Sequence, residues 1–173
     1  MRVGGGAEIL DEQVRVRSEG DADVTVPHEA LDAALGDLDG DGKLDLVTAN
    51  QIGGTVSVLL GSGDGTFRTQ STYPVADLSE AIALRDLNGD GKLDVVVAGL
   101  GSNVDFGITV LLGRNDVNGT WTLAGGVPYL PSGTSSAIAA GDLNGDGVAD
   151  VVTTDGLNEV IVFSGKGDGR LTK

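Results

Sequence analysis

Short runs of β-branched and apolar residues recur along the chain, and stretches rich in glycine and aspartate separate them. Runs such as TVSVLLG (55–61), ITVLLG (108–113) and EVIVFSG (159–165) have the composition of strands. The stretches between them, such as GSGDGTF (61–67), have the composition of turns. The pattern therefore predicts an all-β fold in which short strands are joined by glycine-rich turns.

The apolar runs form a unit that occurs three times. In each unit an alanine-rich strand leads into an acidic loop, a second and a third strand follow, and a glycine-rich turn precedes a fourth strand. The acidic loops begin at residues 37, 86 and 142, and a period of about 50 residues is typical of propeller blades. We predict three four-stranded units at about 30–78, 79–134 and 135–173, with the alanine-rich strand innermost. Phe67, Trp121 and Leu171 follow the turns and are expected to pack between units.

Each acidic loop reads D-x-[DN]-x-D-G-x-x-D. Side-chain oxygens at positions 1, 3, 5 and 9 and a backbone carbonyl at position 7 suit Ca²⁺, and glycine at position 6 permits the sharp turn. We therefore predict about three Ca²⁺ ions per chain. The candidate ligands are Asp37, Asp39, Asp41, the Lys43 carbonyl and Asp45; Asp86, Asn88, Asp90, the Lys92 carbonyl and Asp94; and Asp142, Asn144, Asp146, the Val148 carbonyl and Asp150.

These loops differ from EF-hands. Position 12 of an EF-hand is a bidentate glutamate, whereas this chain has Thr48, Val97 and Thr153 there. The β-branched residues that follow each loop predict a strand rather than a helix. A single copy would also fit an ordinary Asp-Gly turn, but three matching copies favour metal binding. Because every ligand is local, we expect a structural ion, with the position-7 lysine ammonium groups in water.

The composition narrows the choice of partners. The formal net charge is −15, from 26 acidic and 11 basic residues, which argues against nucleic acid and anionic membrane surfaces. The loops hold ten of those acidic residues, four in the first and three in each of the others, so folding should be linked to calcium. The chain has no cysteine, no apolar run long enough to span a membrane and no apolar signal-peptide core at its start.

The text GDLNGDGxxDVV followed by VLLGxGDGTF resembles FG-GAP/VCBS-type repeats, the blades of integrin-α-like β-propellers. The resemblance covers about residues 30–173, although the second unit reads GRNDVNGTW at its turn. It implies a propeller in which a cation stiffens the hairpin between the first and second strands of a blade, while partners bind elsewhere. It also implies an extracellular, cell-surface or periplasmic location and transfers no catalytic site.

Three units are fewer than the roughly four to eight blades of a closed propeller. Residues 1–29 contain the alternating stretches 14–17 and 23–26, and we predict that this segment is an outer strand closing a blade. Two readings of the blade count remain open. Two copies of the chain form a six-bladed ring as a homodimer, or the chain is a fragment of a larger propeller with further blades.

Three functions are compatible with these features. The first is a calcium-binding propeller module that recognises a protein or glycan or serves as a scaffold, and this reading predicts that the chain is not an enzyme. The second is a carbohydrate-active enzyme that uses two carboxylates outside the loops. The third is a self-assembling propeller fragment with no other ligand. The chain has one histidine, His28, so histidine-based catalysis repeated in each unit is excluded.

Overall fold

The computed structural model describes residues 8–10, 13–17, 23–27, 30–51, 53–75, 79–99, 107–129, 135, 137–154 and 159–173. These residues form strands and turns, and the described part of the chain contains no helix. In chain order the strands are β1 (Glu8–Leu10), β2 (Gln13–Arg17), β3 (Asp23–Pro27), β4 (Ala30–Gly36), β5 (Asp45–Asn50), β6 (Thr55–Leu59), β7 (Ser71–Pro74), β8 (Ser79–Arg85), β9 (Asp94–Gly99), β10 (Gly107–Asn115), β11 (Trp121–Tyr129), β12 (Ile138–Gly141), β13 (Asp150–Thr154), β14 (Val160–Gly165) and β15 (Leu171–Thr172).

Each predicted unit is one four-stranded antiparallel sheet. Blade 1 has the order β4-β5-β6-β7, blade 2 the order β8-β9-β10-β11 and blade 3 the order β12-β13-β14-β15. Neighbours in the sequence are therefore neighbours in the sheet, as expected when short turns connect antiparallel strands. The predicted all-β fold of about three four-stranded blades is confirmed.

The first strands of neighbouring blades contact one another. Strand β8 of blade 2 contacts β4 of blade 1 and β12 of blade 3. The alanine-rich strands therefore lie next to one another at one edge of each sheet. Small side chains allow these strands to approach closely, so the predicted inner position of the first strand is confirmed.

Two apolar layers fill the spaces between the blades. The layer between blades 1 and 2 contains Val47 and Val58 from one sheet and Val95 and Leu111 from the other, all 2% exposed or less. The layer between blades 2 and 3 joins buried side chains of β9 and β10 to those of β13 and β14. Blade 2 is thus covered on both faces, as its nearly continuous apolar strands require.

Two of the three residues that follow the glycine-rich turns pack between blades, as predicted. Trp121 belongs to the layer between blades 1 and 2, and Leu171 belongs to the layer between blades 2 and 3. Phe67 contacts Leu46 and Leu59 on the opposite face of blade 1. Packing between units is therefore confirmed for Trp121 and Leu171, whereas the described cluster around Phe67 contains side chains of blade 1 alone.

The first part of the chain has more strands than its sequence pattern indicated. Strands β1, β2 and β3 form a separate antiparallel sheet in that order, with Val14 opposite Val26. We expected one outer strand from this segment, whereas its described residues form three short strands. Its role in closing a blade stays a prediction.

Candidate metal centre

The three acidic loops occupy equivalent places in the blades. Residues 37–45, 86–94 and 142–150 each connect the first strand of a blade to its second. The glycines at loop position 6 have φ angles of 81°, 82° and 84° for Gly42, Gly91 and Gly147. These angles lie in the left-handed region that favours glycine. The predicted turn at this position is therefore confirmed in every copy.

The aspartate at position 1 organises the loop backbone. In the second loop, Asp86 accepts hydrogen bonds from the backbone N–H groups of Gly89 at 2.7 Å and Gly91 at 2.8 Å. Asp37 and Asp142 bind the corresponding glycines in the same way. The Gly147 N–H holds the pKa of the Asp142 carboxyl below its ordinary value. This carboxylate is therefore kept charged and pointed into the loop.

The aspartate at position 9, a predicted cation ligand, also accepts two backbone hydrogen bonds that its sequence position did not indicate. Asp94 is fully buried, and its Oδ2 accepts the Leu87 N–H at 2.9 Å while its Oδ1 accepts the Gly113 N–H at 2.8 Å. Gly113 lies in the third strand of the blade, so this carboxylate ties the loop to β10. The other two copies make the same pair of bonds, from Leu38 and Gly61 to Asp45 and from Leu143 and Gly165 to Asp150.

The glycine that donates this bond allows a close backbone contact. A Cβ atom on Gly113 would overlap the carbonyl oxygen of Leu93, which precedes Asp94 in the loop. The same overlap would occur between Gly61 and Leu44 and between Gly165 and Ala149. Sequence reasoning overlooked these residues. The repeated glycine after the third apolar run, in VLLG (58–61), VLLG (110–113) and VFSG (162–165), was the available signal.

The first loop brings three carboxylates together. One oxygen each from Asp37, Asp39 and Asp45 lies within 4.8 Å of the other two, and Asp45 is buried. Oxygen donors at such separations fit a hard cation that takes ligands at about 2.3–2.6 Å. The donor set therefore suits Ca²⁺ or a similar divalent ion. In the described residues this is the one group of three acidic, histidine or cysteine side chains close enough for a metal.

The position-5 aspartate of the first loop lies outside that group. Asp41 accepts a hydrogen bond from the Lys43 ammonium at 2.8 Å, and the Arg68 guanidinium lies 3.2 Å from the same carboxylate oxygen. The Lys43 ammonium beside it holds the pKa of the Asp41 carboxyl below its usual value. The Lys43 side chain stays partly exposed to solvent, as expected, and its ammonium also pairs with the neighbouring carboxylate.

The second and third loops have the same backbone with an amide at position 3. Asn88 accepts the Asp90 N–H at 2.9 Å through its Oδ1, and Asn144 accepts the Asp146 N–H at 2.8 Å. The Nδ2 groups of these asparagines donate to the position-5 carboxylates. Each position-5 carboxylate also accepts the N–H of the residue at position 7, whose carbonyl stays a predicted ligand.

The pKa of Asp94 predicts how the stability of the metal-free chain depends on pH. Burial raises the pKa of this carboxyl from 3.8 to about 6, although two backbone N–H groups oppose the shift. Between pH 4 and 6 the folded metal-free chain keeps a proton that the unfolded chain has released, so this group makes the free energy of unfolding fall as pH rises. Carboxyl ¹³C NMR of metal-free protein should show the Asp94 carboxyl with a midpoint near pH 6.

The same titration contains its own controls. Asp94→Asn identifies the resonance by removing it, and Asp142 should titrate below 3.8 because its pKa is lowered. Calcium should move the Asp94 midpoint downward, because a cation competes with the proton for the carboxylate. A titration midpoint near pH 4 for Asp94 in the metal-free protein would contradict the prediction.

The repeated unit of loop and strands matches a known protein family. The model of the FG-GAP-like repeat matches residues 37–97 and 86–153. The chain belongs to the FG-GAP-like repeat family. Each match begins at an acidic loop and ends in the strand that follows the next loop, so the family pattern joins the loops to the strands of successive blades. A comparison with curated proteins returns no match.

Membership of the FG-GAP-like family limits the functional classes. Such repeats are typically non-enzymatic and are commonly extracellular. In the part of the chain that the structure describes, no helix has the length and apolar character to cross a membrane. The hypothesis of a carbohydrate-active enzyme stays untested, and His28 lies outside the described residues.

Proposed function

We propose that this FG-GAP-like chain is a calcium-stabilised propeller module that recognises a protein or glycan or holds other domains in place. The observation that carries the proposal is the convergence of Asp37, Asp39 and Asp45 within one hairpin loop. Two further loops have the same backbone hydrogen bonds. Calcium supplies a hard positive centre to such a loop when it is bound.

The position-9 aspartates connect cation binding to blade stability. A carboxylate that accepts two backbone N–H groups and also faces the loop centre would link the ion to the third strand as well as to the first two. Asp94 is a predicted ligand and also accepts a hydrogen bond from β10. The ion is accordingly a structural element of the blade, and the proposal assigns it no catalytic step.

The loop end of the blades also offers open space for a ligand. A cleft of about 410 Å³ lies between the second and third loops and is lined by Arg85, Asp86 and Val148, among others. A second cleft of about 460 Å³ lies between the first loop and the turn that contains Thr66. The first cleft combines polar groups with glycine backbone, which suits hydroxyl-rich or peptide ligands, whereas the second is lined mainly by apolar atoms, including those of Leu35, Leu44 and Phe67.

Calcium titration by calorimetry tests the cation part of the proposal. The wild-type chain should bind three ions, with affinities in the micromolar to millimolar range because a bidentate glutamate is absent. Asp142→Ala should reduce the number to two, because this residue shapes the third loop and supplies a ligand. Asp168→Ala removes an equal charge from a turn outside the loops and should leave three. No measurable binding to the wild-type chain would refute the proposal.

A further inference from the structure

An apolar face of blade 3 is exposed although the equivalent faces of the other blades are buried. On this face Leu143 is 58% exposed, Val160 is 66% exposed and Val162 is 45% exposed. All three are aliphatic, and none belongs to the ligand set of the third loop. Exposed large apolar residues that share one face commonly mark an interaction surface.

The repeat itself shows what this face normally contacts. Leu143 follows the first aspartate of its loop, as Leu38 and Leu87 do. The strand registers place Val162 opposite Val152, just as Val58 lies opposite Val47. The counterparts of the three exposed residues in blades 1 and 2 are all 2% exposed or less: Leu38, Val56, Val58, Leu87, Ile108 and Val110.

Those counterparts are buried by the next blade along the chain. Leu38, Val56 and Val58 share their apolar layer with Val95, Leu111 and other residues of blade 2. Leu87, Ile108 and Val110 share theirs with Val151, Phe163 and other residues of blade 3. The exposed face thus continues an interface that the chain already forms twice. Its complementary surface is the face of another repeat of the same type.

We propose that the exposed face of blade 3 packs against a blade of a second copy of this chain. A second copy has blades of the same kind as those that cover the equivalent faces of blades 1 and 2. Two copies related by a two-fold axis would make the same contact twice, so the exposed face of each chain would be covered. The inference is argued from the burial of aliphatic side chains and not from the proposed calcium role.

Sedimentation velocity of the full chain in buffer with millimolar CaCl₂ tests the pairing. The wild-type chain is expected to have about twice the 17.4 kDa mass of one chain. Val162→Lys places a charge in the contact and should reduce the mass to that of one chain. Val117→Lys is the matched control, because Val117 is fully exposed in the turn between β10 and β11. This control should leave the pair intact.

Several results would overturn the pairing. A wild-type chain that stays single at the highest concentration, a paired Val162→Lys variant or an open series of larger masses each contradicts it. A calorimetric titration without calcium binding would refute the proposed function and leave the mass measurement unaffected. The two failures are therefore distinguishable.

A second variant keeps the proposal testable if Val162→Lys does not fold. The chain has no cysteine, so Val162→Cys introduces a single thiol for an environment-sensitive dye. Dye emission should shift to shorter wavelength as protein concentration rises, because the label enters an apolar contact. Emission that is constant over the whole range would also overturn the pairing.

Discussion

Replacement of Gly113 by alanine is expected to lower the melting temperature of the chain by roughly 10 °C. The added methyl group would overlap the Leu93 carbonyl oxygen, and it would lie 3.4 Å from the Trp121 indole nitrogen. The Cβ atom is fixed by the backbone of Gly113 and the oxygen belongs to the backbone of Leu93, so a side-chain rotation does not relieve the overlap. Strand β10 must then move away from the loop and release the bond between Gly113 N–H and Asp94.

Two costs contribute to the expected loss of stability. Overpacking of a buried site costs about 1–3 kcal/mol, and a lost hydrogen bond to a buried carboxylate costs about 1–3 kcal/mol more. In a chain of this size, about 1 kcal/mol corresponds to roughly 2–4 °C in melting temperature. Thermal unfolding followed by circular dichroism measures the difference between the variant and the wild-type chain.

Gly125 provides the matched control for this substitution. It lies in β11 of the same blade, its φ angle is not in the left-handed region, and a Cβ atom there would meet no heavy atom within 4 Å. Gly125→Ala should therefore change the free energy of unfolding by less than about 1 kcal/mol. If Gly113→Ala and Gly125→Ala melt at the same temperature, the close contact with Leu93 does not constrain the blade.

Calcium is expected to raise the melting temperature of the wild-type chain by about 15 °C or more at saturating concentrations. Each ion that binds only the folded chain adds about 2.7 kcal/mol when its concentration is 100 times its dissociation constant. Three such sites add about 8 kcal/mol, which corresponds to the expected shift. The physical source is the group of like charges at Asp37, Asp39 and Asp45, which repel one another without a cation.

Differential scanning calorimetry with CaCl₂ and with a chelator measures this shift. Asp86→Ala should lose about a third of it, because one of the three loops no longer binds. Asp168→Ala removes the same charge from a turn whose carboxylate is half-exposed, and it should keep the full shift. An identical melting temperature with calcium and with chelator would show that the ions do not stabilise the blades.

The blades and the backbone of the loops could be predicted from residues that are neighbours in the chain. Four strands per unit follow from apolar runs and glycine-rich turns, and the left-handed glycine at Gly42 follows from the spacing of the loop. Both depend on contacts within a few residues. Repetition in three copies made the pattern reliable where one copy would have fitted an ordinary turn.

The double role of Asp94 could not be predicted in this way. Its bond to Gly113 joins residues 19 positions apart, and the distance along the chain differs between blades, since Asp45 and Gly61 are 16 positions apart. Which backbone N–H meets the carboxylate depends on the register of β9 with β10. The contact of Arg68 with Asp41 across 27 residues has the same origin.

The sequence alone therefore specifies three blades with an acidic hairpin in each, because strand periodicity and loop chemistry are local properties. Only the tertiary structure shows that a glycine at or just after the third strand of each blade rests against the loop and binds a buried carboxylate. It also shows that Leu143, Val160 and Val162 are exposed while their six counterparts in blades 1 and 2 are buried. All nine residues of this comparison are equally apolar, so the stacking of blades, and not the residue type, decides which face remains open.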